Sequence, residues 1–137
     1  MHRYTVTTTS DGKVLRVSVS GSRSALQEEM AHDGQRCWEG ILIEAQQLGL
    51  AYILVTSTLT GWVSTQAVYA TFEFLKTIWP ASIVKAAYVD LNPATVHHNQ
   101  FGGKVATAAG LGISVFANEG DAERWLALED AAGAVQG

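Results

Sequence analysis

Residues Ala51 to Thr65 read AYILVTSTLTGWVST, and their reading decides the fold. The opening run, Ala51 to Thr56, is short and almost continuously apolar, the pattern of a strand covered on both faces. From Thr56 to Thr65 six of ten side chains carry hydroxyls. After them, Ala67, Val68, Thr71, Phe72, Phe74, Leu75, Ile78 and Trp79 recur at helical spacing until Pro80 stops the pattern. The stretch is therefore a buried strand, a polar loop and the start of a helix over Gln66 to Trp79.

The same alternation extends in both directions. Upstream, Cys37, Trp38, Ile41, Leu42, Ala45 and Leu48 mark one face of a helix that begins near Gln35 and ends at Gly49. Gly34 interrupts the pattern before it, leaving Ser24 to cap a separate short turn through Leu26 and Met30. Earlier still, Tyr4 to Thr8 and Val14 to Ser20 are rich in β-branched residues around Asp11-Gly12, a hairpin signal. Downstream, Val84 to Leu91 (VKAAYVDL) reads as another buried strand, turned at Asn92-Pro93. Thr95 is placed to cap a helix from Val96 towards Ala109, weakened by Gly102-Gly103 at about 1 kcal/mol per glycine. Ile113 to Phe116 is a last short strand, and Gly120-Asp121 opens a terminal helix with Ala122, Trp125, Leu126 and Leu128 on its inner stripe. The fold class that follows is α/β: an N-terminal hairpin, then βαβαβα units, giving a mixed, mostly parallel sheet with helices packed against it.

The 137 residues suit one compact domain, with an ordered core from about residue 4 to 128 and residues 131–137 expected to fray. Apolar residues make up 47% and charged residues 16%, which excludes a disordered chain and leaves much neutral surface for self-association. Nine Lys and Arg against a net charge of -4 provide no basic footprint for nucleic acid. The lone Cys37 allows no intrachain disulfide and reads as a small buried hydrophobe. No run approaches the roughly 18 apolar residues of a membrane span, and MHRYTVTTTSDGK has no apolar signal region. A cytoplasmic protein is expected.

Three stretches resemble the SpoIIAA-like family, related to the STAS (anti-sigma-factor antagonist) fold. They are YILVTSTLTG at Tyr52 to Gly61, KAAYVDLNP at Lys85 to Pro93, and FGGKVATAAGLGISVFANEGDAERWL at Phe101 to Leu126. The resemblance runs from about Tyr4 to Leu126 and its motifs are structural. It implies a regulatory protein that binds protein partners, switched by phosphorylation of a Ser or Thr where the second helix begins. The family pattern there is Asp-Ser-Ser or Asp-Ser-Thr followed by Gly. This chain has Val63-Ser64-Thr65-Gln66, without the Asp and the Gly. Relatives of similar topology that take lipid or other apolar ligands imply, as an alternative, an apolar pocket.

The residues themselves sort as follows. Ser57, Thr58, Thr60, Ser64 and Thr65 form a candidate regulatory or anion-binding loop, because the first amides of a helix are unsatisfied and its N-terminus is positive. The plainer account makes Ser64 or Thr65 the helix cap and the other hydroxyls turn partners. Trp62, Tyr69, Phe72 and Phe101 are candidates for an apolar pocket or a dimer surface. The stripe on the second helix, with Tyr69, Phe72, Phe74 and Trp79, exceeds the about 100° that a helix buries on a sheet. Its surplus calls for a neighbouring helix, a second subunit or an apolar ligand.

His97 and His98 diverge by about 100° on a helix, which does not suit a shared metal ion. Ser64, His97 and Asp90 could be written as a triad, but no G-x-S-x-G elbow accompanies them. The glycines at 102, 103, 110 and 112 match no nucleotide loop. The sequence thus points to a non-enzymatic, cofactor-free domain that binds a protein partner and forms a homodimer, with TSTLTGWVST and the second helix as its recognition surface. The alternative is a small apolar-ligand module.

Overall fold

The computed structural model describes residues 3–136, with side chains through residue 127. The hairpin pairs β1 (Tyr4–Asp11) with β2 (Val14–Gly21), antiparallel and in unbroken register from Tyr4↔Gly21 to Asp11↔Val14. The two turn residues are Gly12 and Lys13 rather than Asp11 and Gly12. Gly12 has φ +61° and Lys13 does not share the sign, the arrangement of a turn that matches the right-handed twist of its strands.

Next come α1 (Gln27–Leu48), β3 (Tyr52–Ser57), α2 (Thr65–Ile78), β4 (Lys85–Asp90), α3 (Val96–Ala108), β5 (Ile113–Phe116) and α4 (Glu119–Gln136). Strands β2, β3, β4 and β5 are parallel, and the sheet order is β1-β2-β3-β4-β5. Each crossover steps the same way across the sheet, so α1, α2 and α3 lie together on one face. Leu15, Val17, Val19, Ile53, Val55, Ala86 and Ile113 of the sheet meet Trp38, Ile41, Leu42, Val68, Phe72 and Leu75 of these helices. On the opposite face α4 closes a smaller core, Leu54, Ala87 and Val89 against Ala122 and Leu126. Strand β3 is buried on both sides, as AYILVT implies, while β2 buries only Leu15, Val17 and Val19. Lys85 sits at the seam of this second layer, its Nζ 3.6 Å from the Trp125 ring centre and donating to the Trp125 carbonyl at 3.1 Å.

The first helix corrects the sequence reading. It is one helix of 22 residues that runs through Gly34. A Cβ at Gly34 would lie 3.0 Å from Thr71 Oγ1, so the glycine admits α2 rather than breaking α1. Ser24 precedes the helix: its Oγ accepts from the Leu26 amide at 3.1 Å and donates to Glu29 at 2.8 Å, while the cap position is Leu26, with no side-chain bond. At the other end Gly49, with φ +69°, donates back to Ala45 and Gln46 as expected. The expected inner-stripe role of Leu128 and the fraying of residues 131–137 fall outside the described side chains.

The surplus stripe of α2 is largely consumed inside the chain. Ala67, Val68, Phe72 and Leu75 are buried, and Trp79 stacks at 6.4 Å on Trp38, which also meets Tyr88 at 6.0 Å. Helix α2 lies between α1 and α3, and needs the wide stripe because it has a neighbour on each side. Only Tyr69 of the surplus aromatics stays exposed.

Candidate functional site

The loops after β3 and β4 lie side by side at the carboxyl edge of the sheet, bound to each other and to the hairpin. Leu91 N–H donates to the Ser57 carbonyl at 3.1 Å, and Asn92 Nδ2 to the Leu59 carbonyl at 3.3 Å. Ser22 and Thr60 form an isolated bridge, their hydroxyls 3.0 Å apart. Asp90, 1% exposed at the end of β4, anchors the second loop: its carboxylate accepts from Thr95 Oγ1 (2.8 Å), Asn99 Nδ2 (2.7 Å) and the Asn92 amide (3.0 Å). Thr95 holds the cap position of α3 but makes no capping bond; its hydroxyl donates to Asp90 instead. The expected cap is thus replaced by a buried carboxylate knot.

The five loop hydroxyls divide by burial. Ser57 is fully buried and receives the Leu59 amide at 3.3 Å. Ser64, 4% exposed, caps α2 by accepting from the Ala67 amide at 3.2 Å, and donates to Gln27 Oε1 of α1 at 2.8 Å. Thr58 and Thr60 are exposed, and their hydroxyls donate to the Val19 and Gly21 carbonyls of β2 at 3.4 and 3.2 Å. Thr65, the first residue of α2, is exposed and 3.5 Å from His98 Nδ1 of α3. Of the five, only Thr65 presents a reachable hydroxyl at a helix start without a backbone acceptor.

Around Thr65 a surface cleft is lined by Trp62, Ser64, Gln66, Asn92, Thr95 and His98 among others. Its lining includes neither Lys nor Arg, so a free anion would meet helix amides and one imidazole only. Tyr69 lies one turn beyond Thr65 on the same face of α2, and Phe101 three residues beyond His98 on α3. Gly102, next to Phe101, draws the helices together: a Cβ there would lie 2.3 Å from Val68 Cγ1. Trp62 (55% exposed) borders the cleft, while Tyr69 (48%) and Phe101 (55%) lie beyond it on α2 and α3. Phe72 does not belong with them, since it is buried between α2 and the sheet.

Phe72 instead lines a half-open pocket of about 80 Å³ between α1, α2 and the sheet, with Met30, Trp38, Val55 and Leu59. Tyr4, Cys37 and Tyr88 supply its polar tips; burial pushes the Tyr4 phenol up to about 12 and the Cys37 thiol up to about 11. Sites for drug-sized ligands occupy roughly 300–1,000 Å³. This pocket has room for a few atoms only.

The triad that can be written from the sequence is not assembled. Asp90 is held by Thr95 and Asn99, Ser64 by Gln27 and the Ala67 amide, and the histidine beside the helix start is His98 rather than His97. Among the described residues no three His, Cys, Asp or Glu side chains converge as metal ligands would, and no helix is long and apolar enough to cross a membrane.

In three dimensions the chain is similar to an anti-sigma factor antagonist from Mycobacterium paratuberculosis, with a TM-score of 0.57 and 14% identity over 88% of this chain and 92% of that one. The fold is SpoIIAA-like. An uncharacterised protein of SpoIIAA-like fold from Shewanella loihica is also similar, with a TM-score of 0.50 and 10% identity over 92% of this chain and 95% of that one. No protein-family model matches the chain, and no curated protein matches it in sequence. On the SpoIIAA-like frame the loops after β3 and β4 and the first turns of α2 and α3 form one continuous surface. The sequence singled out the hydroxyls there but missed Asp90, Asn92, Asn99 and His98 as its framework. A signal existed in the Asp90-x-Asn92 spacing at a strand end, where short polar side chains commonly bond the backbone two residues on.

Proposed function

We propose that the chain is a non-enzymatic regulatory domain that binds a protein partner through the surface bordered by Trp62, Thr65, Tyr69, His98 and Phe101. The observation that carries this reading is the polar cleft beside Thr65 on a pinned framework, with half-exposed Trp62 on its wall and the exposed rings of Tyr69 and Phe101 farther along α2 and α3. Tyr and Trp supply large contact area at low entropic cost, and exposed apolar rings rimmed by polar groups mark interaction sites. The likeness to an anti-sigma factor antagonist supports the same class of role. A cytoplasmic setting belongs to this reading, in keeping with the single, half-buried cysteine.

Within it, Thr65 is the residue at which a phosphate would act. A phosphate there adds nearly two negative charges at a helix N-terminus, beside His98, and stays at the surface. Ser64, buried and committed as the cap, could be modified only by opening the start of α2. The apolar-ligand reading rests on the core pocket, whose size suits a molecule of a few atoms far better than a lipid chain.

The test places a photo-crosslinking amino acid at Trp62, Tyr69 or Phe101, and at Arg16 on the opposite face, in cells that make the protein. A discrete protein adduct is expected from the first three positions and not from Arg16, and Thr65→Glu should change its yield while Thr65→Ala leaves it. Equal labelling from Arg16, or no adduct from any position, overturns the proposal.

A further inference from the structure

The other open feature of the molecule is the outer edge of β1. The sheet order leaves this strand with a neighbour on one side only. Natural edge strands are blunted by shortness, proline, bulges or charge. Strand β5, at the opposite edge, is four residues long. Strand β1 has eight, pairs with β2 without a bulge, and from Tyr4 to Ser10 contains no Pro, Gly or charged residue. The Arg3 carbonyl accepts from the Ser22 amide, which fixes the odd-numbered residues as those facing β2. Tyr4, Val6, Thr8 and Ser10 therefore direct their N–H and C=O groups outward.

We infer that β1 pairs antiparallel with β1 of a second copy of this chain, on a two-fold axis at Thr7, to make one continuous ten-stranded sheet. The register follows from the residues. Centred on Thr7, the outward-facing groups pair Val6 with Thr8 and Tyr4 with Ser10, and the open face aligns Thr5 with Thr9. The same register sets Arg3 opposite Asp11 of the partner subunit in the backbone ladder, at both ends. Shifting by one pairing step in either direction separates them. Arg3 turns to Asp33 at 2.6 Å and Glu29 at 3.5 Å on the α1 side, and Asp11 to Arg16 at 3.0 Å on the α4 side, so each charge is satisfied within its own chain and the contact leaves none unpaired. Thr5, Thr7 and Thr9 are exposed because α4 packs on β3, β4 and β5 and leaves the hairpin's outer face open, and cross-strand threonine pairs are favourable. This contact lies apart from the α2–α3 surface and does not depend on the function proposed for it.

Light scattering and sedimentation over a concentration series test it on the full chain. The mass should rise from 14.7 kDa towards twice that value. Thr7 faces its own copy on the axis, so Thr7→Lys and Thr7→Glu should each remain monomeric through like-charge repulsion, and an equimolar mixture of the two should regain the dimer. Unchanged circular dichroism of both variants ensures that the hairpin is intact. A wild-type monomer throughout the series overturns the inference. So does a dimer that survives Thr7→Lys, and one that dissociates on Trp62→Asp would move the contact to the α2–α3 face.

Discussion

Replacing Gly102 with Ala sets two effects of opposite sign against each other, and the structure says which should win. In an exposed helix, Gly→Ala gains about 1 kcal/mol from propensity. At Gly102, however, the new Cβ would stand 2.3 Å from Val68 Cγ1 and 2.5 Å from Phe72 Cε2. Carbon atoms prefer about 3.5–4.0 Å, so the overlap exceeds roughly 1 Å on both neighbours at once. Neither can swing aside, since Val68 is 7% and Phe72 8% exposed. With two buried neighbours overlapped at once, the cost falls in the upper part of the about 1–3 kcal/mol range for overpacking, about 2–3 kcal/mol, leaving a net loss of about 1–2 kcal/mol after the propensity gain. For a chain of this length the melting temperature should fall by about 3–8 °C. Gly40→Ala on the exposed side of α1 is the control: nothing lies within 4 Å of its Cβ, and stability should rise by about 0.5–1 kcal/mol. Calorimetry of both variants reads the signs directly. A Gly102→Ala protein that melts above wild type would refute the close approach of α2 and α3, and with it the juxtaposition of Tyr69 and Phe101.

Asp90→Ala should destabilise by about 2–4 kcal/mol in urea titration, because it strands the buried Thr95 hydroxyl and Asn99 amide, whereas Ser64→Ala should cost about 1 kcal/mol as a lost cap. Cys37 rises from an ordinary value near 9 to about 11, so at pH 8 its thiolate is roughly a hundredfold scarcer than in the unfolded chain, and a disulfide reagent should label it correspondingly slowly until denaturant is added. The folded state favours the neutral forms of Cys37 and Tyr4, so their contribution to stability is full below about pH 9 and declines as pH rises towards 12; denaturation midpoints followed across that window should fall.

The elements that local pattern alone determines were readable. AYILVT announces β3 because burial on both faces removes polar residues from a strand, and Ser64 and Gly49 punctuate helices through bonds to residues within one turn. The misreadings share one cause: a glycine or hydroxyl whose partner is distant in sequence. Gly34 looks like a helix breaker until Thr71 is placed against it, 37 positions away, and the reason for Gly102 inside α3 stays hidden until Val68 and Phe72 are. Thr95 looks like a cap until Asp90 takes its hydroxyl. At the candidate site the hydroxyl cluster was visible, but not its division into buried Ser57 and Ser64 and exposed Thr65, because that depends on how α1 and α3 flank the loop. Trp62, Tyr69 and Phe101 were candidates from the sequence; the packing of α2 beside α3 leaves all three exposed but puts only Trp62 on the wall of the cleft.

The topology bears on what such a surface can do. Open parallel sheets bind ligands where the strand order reverses, since helices then diverge to opposite faces and leave a crevice. Here the order β1-β2-β3-β4-β5 contains no reversal, and α1, α2 and α3 stay on one face. The carboxyl edge is bridged instead, by the Asn92–Leu59 and Leu91–Ser57 bonds and the Asp90 knot. Cross-linked in this way, the edge is a fixed surface with an open cleft beside Thr65. In the proposed role a phosphate on Thr65 would therefore act by changing the charge of a fixed platform, not by moving a loop. Thr65→Glu should then alter partner binding while amide exchange of the Ser57–Thr60 and Asn92–Thr95 segments stays as in the wild type; loosened exchange in those segments would show that the switch works through unfolding of the edge instead.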